Sequence, residues 1–170
     1  MKTILYMAVT INGLVAGEND DTRWVSKGSW DSYLKTIRSM DAVIIGRNTY
    51  DIMPQDEFQP NCIYVVLTHN APKKTKVSSV IFTDKSPQEI FDLLSEKDCQ
   101  KVCVSGGSQI NTQFLEGNLI NEIYVDVEPQ ILGRGIPLFT PNDTKQKLKL
   151  LEVNKLSENT IQLHYEVERK

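Results

Sequence analysis

Ala42-Val43-Ile44-Ile45-Gly46-Arg47-Asn48-Thr49 (residues 42–49) sets a short apolar run directly against a glycine, a cation and two small polar residues. A run this short, rich in β-branched residues and without polar alternation, is the pattern of a strand buried on both faces. The glycine permits a tight exit from the strand, and Asn48 or Thr49 reads as the cap of a helix that follows. Free N–H groups at such a helix start face an anion, and the Arg47 guanidinium has bidentate geometry suited to phosphate. An ordinary strand-to-helix turn with a solvated Arg47 has the same letters, so the reading needs a second junction of its kind.

That second junction is Val102-Cys103-Val104-Ser105-Gly106-Gly107-Ser108. Its adjacent glycines let the main chain approach a ligand where any side chain would collide. Ser108 reads as the cap of the next helix, with Ile110, Phe114 and Leu115 inward and Gly117 ending it. Leu67-Thr68-His69-Asn70 follows a third apolar run, Ile63–Leu67. Parallel sheets bind ligands at the carboxyl ends of their strands, and all three segments fall there.

Working outward, further buried runs are Thr3–Val9 and Val80–Phe82. Trp30, Tyr33, Leu34, Ile37 and Met40 mark one helical face, with Asp31, Lys35 and Arg38 at its edge or outside. Ser86-Pro87-Gln88-Glu89 predicts a capping box with proline at the first helical position, opening a helix through Leu94. Beyond Gly117 the pattern changes to alternation. Ile123, Val125 and Val127 interleave with Tyr124, Asp126 and Glu128, and Ile161, Leu163, Tyr165 and Val167 with Gln162, His164, Glu166 and Glu168. With Leu148–Leu156 before it, the last run predicts a closing antiparallel hairpin whose polar face, His164 included, meets solvent. The expected fold is α/β. It has a mixed, largely parallel central sheet with helices on both faces and an antiparallel C-terminal hairpin, in a single domain over residues 1–170.

The 170 residues are 40% hydrophobic and 24% charged, enough apolar surface for a core and against disorder. A net charge of −3 leaves no basic excess for nucleic acid. No apolar stretch is long enough for a membrane span, and the N-terminal run reads as a strand, not a signal peptide. The three cysteines, Cys62, Cys99 and Cys103, read as reduced core thiols of a cytoplasmic protein. His69 and His164 lie far apart, so no metal site is expected. Serine-hydrolase, P-loop and full dinucleotide fingerprints are missing as well.

In order along the chain stand Ala8-Val9-Thr10-Ile11-Asn12-Gly13-Leu14-Val15-Ala16, Ile45-Gly46-Arg47-Asn48-Thr49-Tyr50, Val104-Ser105-Gly106-Gly107-Ser108, and Val127-Glu128-Pro129-Gln130-Ile131-Leu132-Gly133-Arg134-Gly135-Ile136-Pro137-Leu138-Phe139. On these segments the chain resembles the dihydrofolate-reductase-like superfamily. The nearest likeness is to the reductase domain of bacterial riboflavin biosynthesis enzymes and its stand-alone relatives. The resemblance implies an NADPH-dependent reductase of a small pyrimidine- or pterin-like heterocycle, working as a homodimer. It implies that Ala8 and Val15 approach the nicotinamide, and that Arg47, Asn48 and Thr49, beside Gly46, hold phosphates. Thr68 and His69 would lie near the adenosine phosphate. Ser105, Gly106, Gly107, Ser108 and Gln109 would wrap the pyrophosphate, with a cis bond between the glycines.

Reduction also needs a proton. Folate reductases carry a carboxylate on the first helix; here Asp31 is the match, although the spacing back from Gly46 falls on Trp30. Asp126 is the second candidate. Trp24 and Trp30 either line a flat ring pocket or belong to the core. Two other readings of the same features stay open: a nucleotide-binding module without turnover, and a flavin-binding α/β protein.

Overall fold

A computed structural model of the chain describes residues 1–70, 75 and 77–169. In chain order the strands are β1 (Lys2–Thr10), β2 (Leu14–Ala16), β3 (Ala42–Gly46), β4 (Ile63–Leu67), β5 (Val80–Thr83), β6 (Lys101–Val104), β7 (Glu122–Glu128), β8 (Ile136–Pro137), β9 (Leu148–Lys155) and β10 (Ile161–Val167). The helices are α1 (Lys27–Ile37), α2 (Arg47–Ile52), α3 (Pro87–Ser95) and α4 (Ser108–Glu116). Eight strands form one sheet in the order β5-β4-β3-β6-β1-β7-β10-β9, and β2 pairs with β8 beside it. All neighbours from β5 to β7 run parallel, whereas β10 is antiparallel to both β7 and β9.

The apolar runs are buried on both faces because helices cover both faces. Ile4, Tyr6, Val43, Ile45, Tyr64 and Val66 pack with Tyr33 and Ile37 of α1 and Tyr50 of α2. The alternate residues Leu5, Ile44, Val65 and Val104 pack with Ile90 and Leu94 of α3 and Ile110 and Phe114 of α4. Local signals set the helix starts where side chains can cap them. Ser26 caps α1 by accepting from the Ser29 N–H, and Ser86 and Glu89 close the expected capping box on α3. Cys62, Cys99 and Cys103 are free and buried, and burial pushes the Cys62 thiol up to about 12. No helix among the described residues is long and apolar enough to cross a membrane.

The C-terminal hairpin forms as expected, but its faces are reversed. The polar residues of β7 and β10 point inward: Asp126 and Glu128 are 0% and 1% exposed, and Gln162 is 6% exposed. They face α1, which brings Ser26, Ser29 and Ser32 to meet them. His164 is not solvated either; it stacks on Tyr124 at 3.9 Å and bonds the Glu122 carboxylate at 2.9 Å. The apolar face of the hairpin is the open one: Leu150, Leu151, Val153 and Ile161 are exposed. Alternation places the two sets on opposite faces; only the position of α1 decides which set is covered.

Candidate active site

The carboxyl ends of β1, β3, β4 and β6 open on one edge of the sheet, and two connected cavities lie along it. The larger, about 1030 Å³, is lined by Gly46 and Arg47 after β3, Thr68 and His69 after β4, and Gly106 and Gly107 after β6. Asn48, Thr49, Ser108 and Gln109 line it too. The smaller, about 420 Å³, lies between the end of β1 and α1, with Ala8, Ser105 and Trp30 among its walls. Met7, Val15, Thr22, Thr49 and Ile52 border both. Gly46 and the glycine pair therefore share one cleft; a Cβ on Gly46 would stand 3.9 Å from the Gly107 nitrogen.

The main chain gives the larger cavity its character. Helix α4 begins immediately after Gly107, whose lack of a side chain leaves the helix start without a side-chain cap. Free N–H donors at a helix start, in a cleft, suit a phosphate. Two expectations are corrected here. Ser108 is the first residue of α4 and not its cap, and Asn48 and Thr49 likewise lie inside α2, which Gly46 precedes. The helices start one to three residues earlier than expected, with the glycine itself in the cap position. Their side chains are engaged elsewhere: Ser108 Oγ with Thr140 Oγ1 at 3.1 Å, and Asn48 Nδ2 with Asp20 at 2.8 Å. The peptide between Gly106 and Gly107 is trans, against the expected cis bond.

Gly106 and Gly107 do different things. A Cβ on Gly106 would sit 2.6 Å from Ile110 Cβ, so Gly106 is required by the packing of α4 on the strand. A Cβ on Gly107 would meet nothing within 4 Å, so its bareness leaves room in the cleft. Arg47 lines the same cleft, held by Asp51 at 2.8 Å and donating to the Asn70 carbonyl at 2.8 Å. His69 faces Asp84 at 3.6 Å and is otherwise solvated.

The smaller cavity has aromatic walls and a buried polar network behind them. Trp30 and Tyr33 of α1 lie against each other at 5.3 Å, and Tyr6 meets Tyr33 edge-on at 5.5 Å. Tyr6 and Ser29 both line the cavity and both donate to Asp126 Oδ2, at 2.8 Å and 2.6 Å. Gln162 donates to Asp126 Oδ1 at 2.8 Å and to Tyr6 Oη at 2.9 Å. Burial raises the Asp126 carboxyl above the usual range, and the Glu128 charge adds to this; the bonds from Ser29, Gln162 and Tyr6 only partly offset it. Burial and the Asp126 charge raise the Tyr6 phenol as well. Glu128 is a clamp: its Oε1 accepts the Ser26 N–H and hydroxyl, and its Oε2 accepts the Thr160 hydroxyl at 2.9 Å. Carboxylate and capping serine together fix the start of α1.

Asp31 does not belong to this site. It sits on the solvent side of α1, paired with Lys27 one turn back, and lines neither cavity. A one-residue step turns a helical side chain by about 100°, which points Trp30 into the cavity and Asp31 away. Trp24 lines neither cavity; its indole N–H goes to the Asp21 carbonyl. Sequence reasoning missed Tyr6, Ser29, Gln162 and Glu57. Tyr6 was legible as the phenol in an otherwise apolar strand. Gln162 stands opposite Asp126 in the β10–β7 register, which becomes a signal only once the pairing is known.

The fold is a largely parallel α/β sheet that carries a main-chain-lined cleft beside a small aromatic pocket. The chain belongs to the family described as the RibD C-terminal domain, whose model matches residues 1–162. It is 29% identical over 171 residues to the uncharacterized protein YwjB of Bacillus subtilis, covering 96% of this chain and 97% of that one. Its fold matches a diaminohydroxyphosphoribosylaminopyrimidine deaminase/5-amino-6-(5-phosphoribosylamino)uracil reductase of Thermotoga maritima, with a TM-score of 0.82 and 20% identity. That match covers 98% of this chain and 56% of the Thermotoga chain. A pyrimidine reductase-like protein of Corynebacterium diphtheriae matches with a TM-score of 0.80 and 16% identity, covering 99% of this chain and 92% of that one.

Proposed function

We propose that residues 1–170 act as a single-domain, NADPH-dependent reductase of a small pyrimidine- or pterin-like heterocycle. The observation that carries this reading is the pair of joined cavities: one lined by glycine main chain and a helix start, the other by aromatic rings. In the larger cavity, Gly106, Gly107, Ser108 and Gln109 would hold the pyrophosphate. Arg47, Asn48, Thr49, Thr68 and His69 would hold the remaining phosphate and adenosine end, and Ala8 and Val15 the nicotinamide. When bound there, the coenzyme supplies a hydride from C4 of its nicotinamide. The family and the uracil-reductase name of the Thermotoga neighbour support a reductase of a pyrimidine-type substrate; the coenzyme is what the sequence resemblance implies.

The chain's own residues supply the proton. Ser29 Oγ, on the cavity wall, gives its proton to the substrate atom that gains negative character as the neighbouring carbon is reduced. Ser29 turns its hydroxyl from Asp126 Oδ2, 2.6 Å away, toward the substrate, and the protonated form of Asp126, which burial favours, replaces the proton. The carboxylate left behind keeps the donors Tyr6 and Gln162. One hydride and one proton have then been added, and Asp126 is reprotonated from solvent after product leaves. Asp126 thus acts through Ser29, as a positioning residue and proton reserve.

The open apolar face of β9 and β10 supports a homodimer, with a second copy of the same face as its cover. Buried reduced cysteines fit a cytoplasmic setting. The test of the reductase reading is an NADPH titration. Saturation to about a hundred times Kd adds about 2.7 kcal/mol of stability, so the expected results are a raised Tm and quenched tryptophan fluorescence. Steady-state NADPH oxidation with pyrimidine and pterin substrates should then show turnover. No thermal shift at millimolar NADPH would overturn the assignment.

A further inference from the structure

Among the described residues, the smaller cavity has one carboxylate on its wall, and that carboxylate is only half used. Glu57 ends the helical turn Gln55–Glu57 and lines the cavity with Trp30, Tyr33 and Met53. Its Oε1 accepts the Trp30 indole N–H at 3.0 Å, which fixes where the carboxylate stands. Its Oε2 is buried without a hydrogen-bond partner. A buried acceptor left unsatisfied is costly, more so when charged, and buried polar groups without partners point to a role. The other walls are mostly apolar or aromatic, with the hydroxyl residues Thr22, Ser29, Thr49 and Ser105 among them, which suits a flat, uncharged ring. The terminal torsion of a glutamate is soft, so Oε2 turns toward a ligand at little cost.

We propose that Glu57 determines specificity by accepting an N–H from an exocyclic amino group on the edge of a flat heterocycle lying against Trp30. This rests on the smaller cavity being the substrate's seat. A ring presenting a carbonyl at that edge sets two acceptors against each other and leaves Oε2 unpaired. A site built to pair a substrate N–H rejects the analogue that lacks it far better than an apolar wall rejects an extra group.

The probes are 2-aminopyrimidin-4-one and uracil, which differ by an exocyclic amino group in place of a carbonyl and by the ring N–H beside it. Each is titrated by ligand-observed NMR into the NADPH-treated wild type and Glu57→Gln. The wild type should bind the amino ring at least about tenfold tighter than uracil, the scale of one hydrogen bond to a charged group. Glu57→Gln should remove most of that preference. Its amide oxygen still accepts the Trp30 N–H, so the fold is kept, and an unchanged Tm checks this. A wild type that binds the two rings alike, or neither, overturns the proposal, as does a Glu57→Gln variant that keeps the preference. NADPH affinity, measured in the same samples, separates the two readings. Its loss with the ring preference intact would sink the reductase assignment and leave Glu57 standing.

Discussion

Asp126 has no exposed surface and still reaches the cavity, because two of its three donors form the cavity wall. Replacing it with Asn keeps the shape and removes the transferable proton. Asp126→Asn should lower kcat by about a hundredfold or more, the usual scale of general acid catalysis, with NADPH affinity unchanged. The acid dependence of the rate should flatten at the same time. Stability gives an independent check of sign. A carboxyl raised in the folded state binds its proton more tightly folded than unfolded, so its contribution is present at low pH. It is lost as pH rises from the ordinary carboxylate value, about 3.9, through the raised folded one. The Tm advantage of wild type over Asp126→Asn should therefore shrink as pH rises through that window. An advantage that grows instead would mean the carboxyl is not raised. Asp41 and Glu89, lowered by main-chain and Ser86 hydrogen bonds, act in the opposite direction and lose stability as pH falls.

Helix α4 and the strand it leaves, β6, are joined by two glycines that look alike in the sequence. The space around them separates their roles. Gly106→Ala forces a Cβ against Ile110 and should cost about 1–3 kcal/mol, a Tm lower by about 2–12 °C for a chain this size. Gly107→Ala places a methyl in open cleft at ordinary backbone angles. It should melt like wild type and bind NADPH more weakly. Thermal melts with and without NADPH distinguish the two; equal behaviour of the variants in both measurements would refute the division. The same element logic explains α1. Ser26 and Glu128, far apart in the chain, fix its start, and that start sets Ser29 and Trp30 toward the cavity and Asp31 toward water.

At the scale of the molecule, the sheet is covered by helices on both faces except at one end. There β10 and β9 turn Leu150, Leu151, Val153 and Ile161 outward, while β7 and β10 bury Asp126 and Gln162 on the other side. Such an exposed apolar face marks an interaction surface, and covering the exposed half of each side chain against a partner contributes about 1 kcal/mol. Light scattering should give a dimeric mass for the wild type. Val153→Lys, on a residue 54% exposed, should give a monomer with its secondary structure intact. A monomeric wild type would remove the dimer.

Local stretches of the chain are enough to set the elements. Short apolar runs, glycine at two strand ends and a capping box at Ser86 are local signals, and local sterics and hydrogen bonding answer them without help from distant residues. Those stretches also place the two glycine junctions on one edge, because parallel strands carry all their carboxyl ends to one side. Which face of each element is covered depends instead on long-range packing. Period-two alternation in β7 and β10 puts Asp126 opposite Val125 whatever the fold; α1, nearly a hundred residues earlier in the chain, decides that the polar side is buried. The same holds for Glu57, an unremarkable acid in a loop until Trp30 and the cavity close around it. Burial is a property of pairs of segments distant in sequence, so no single segment can encode it.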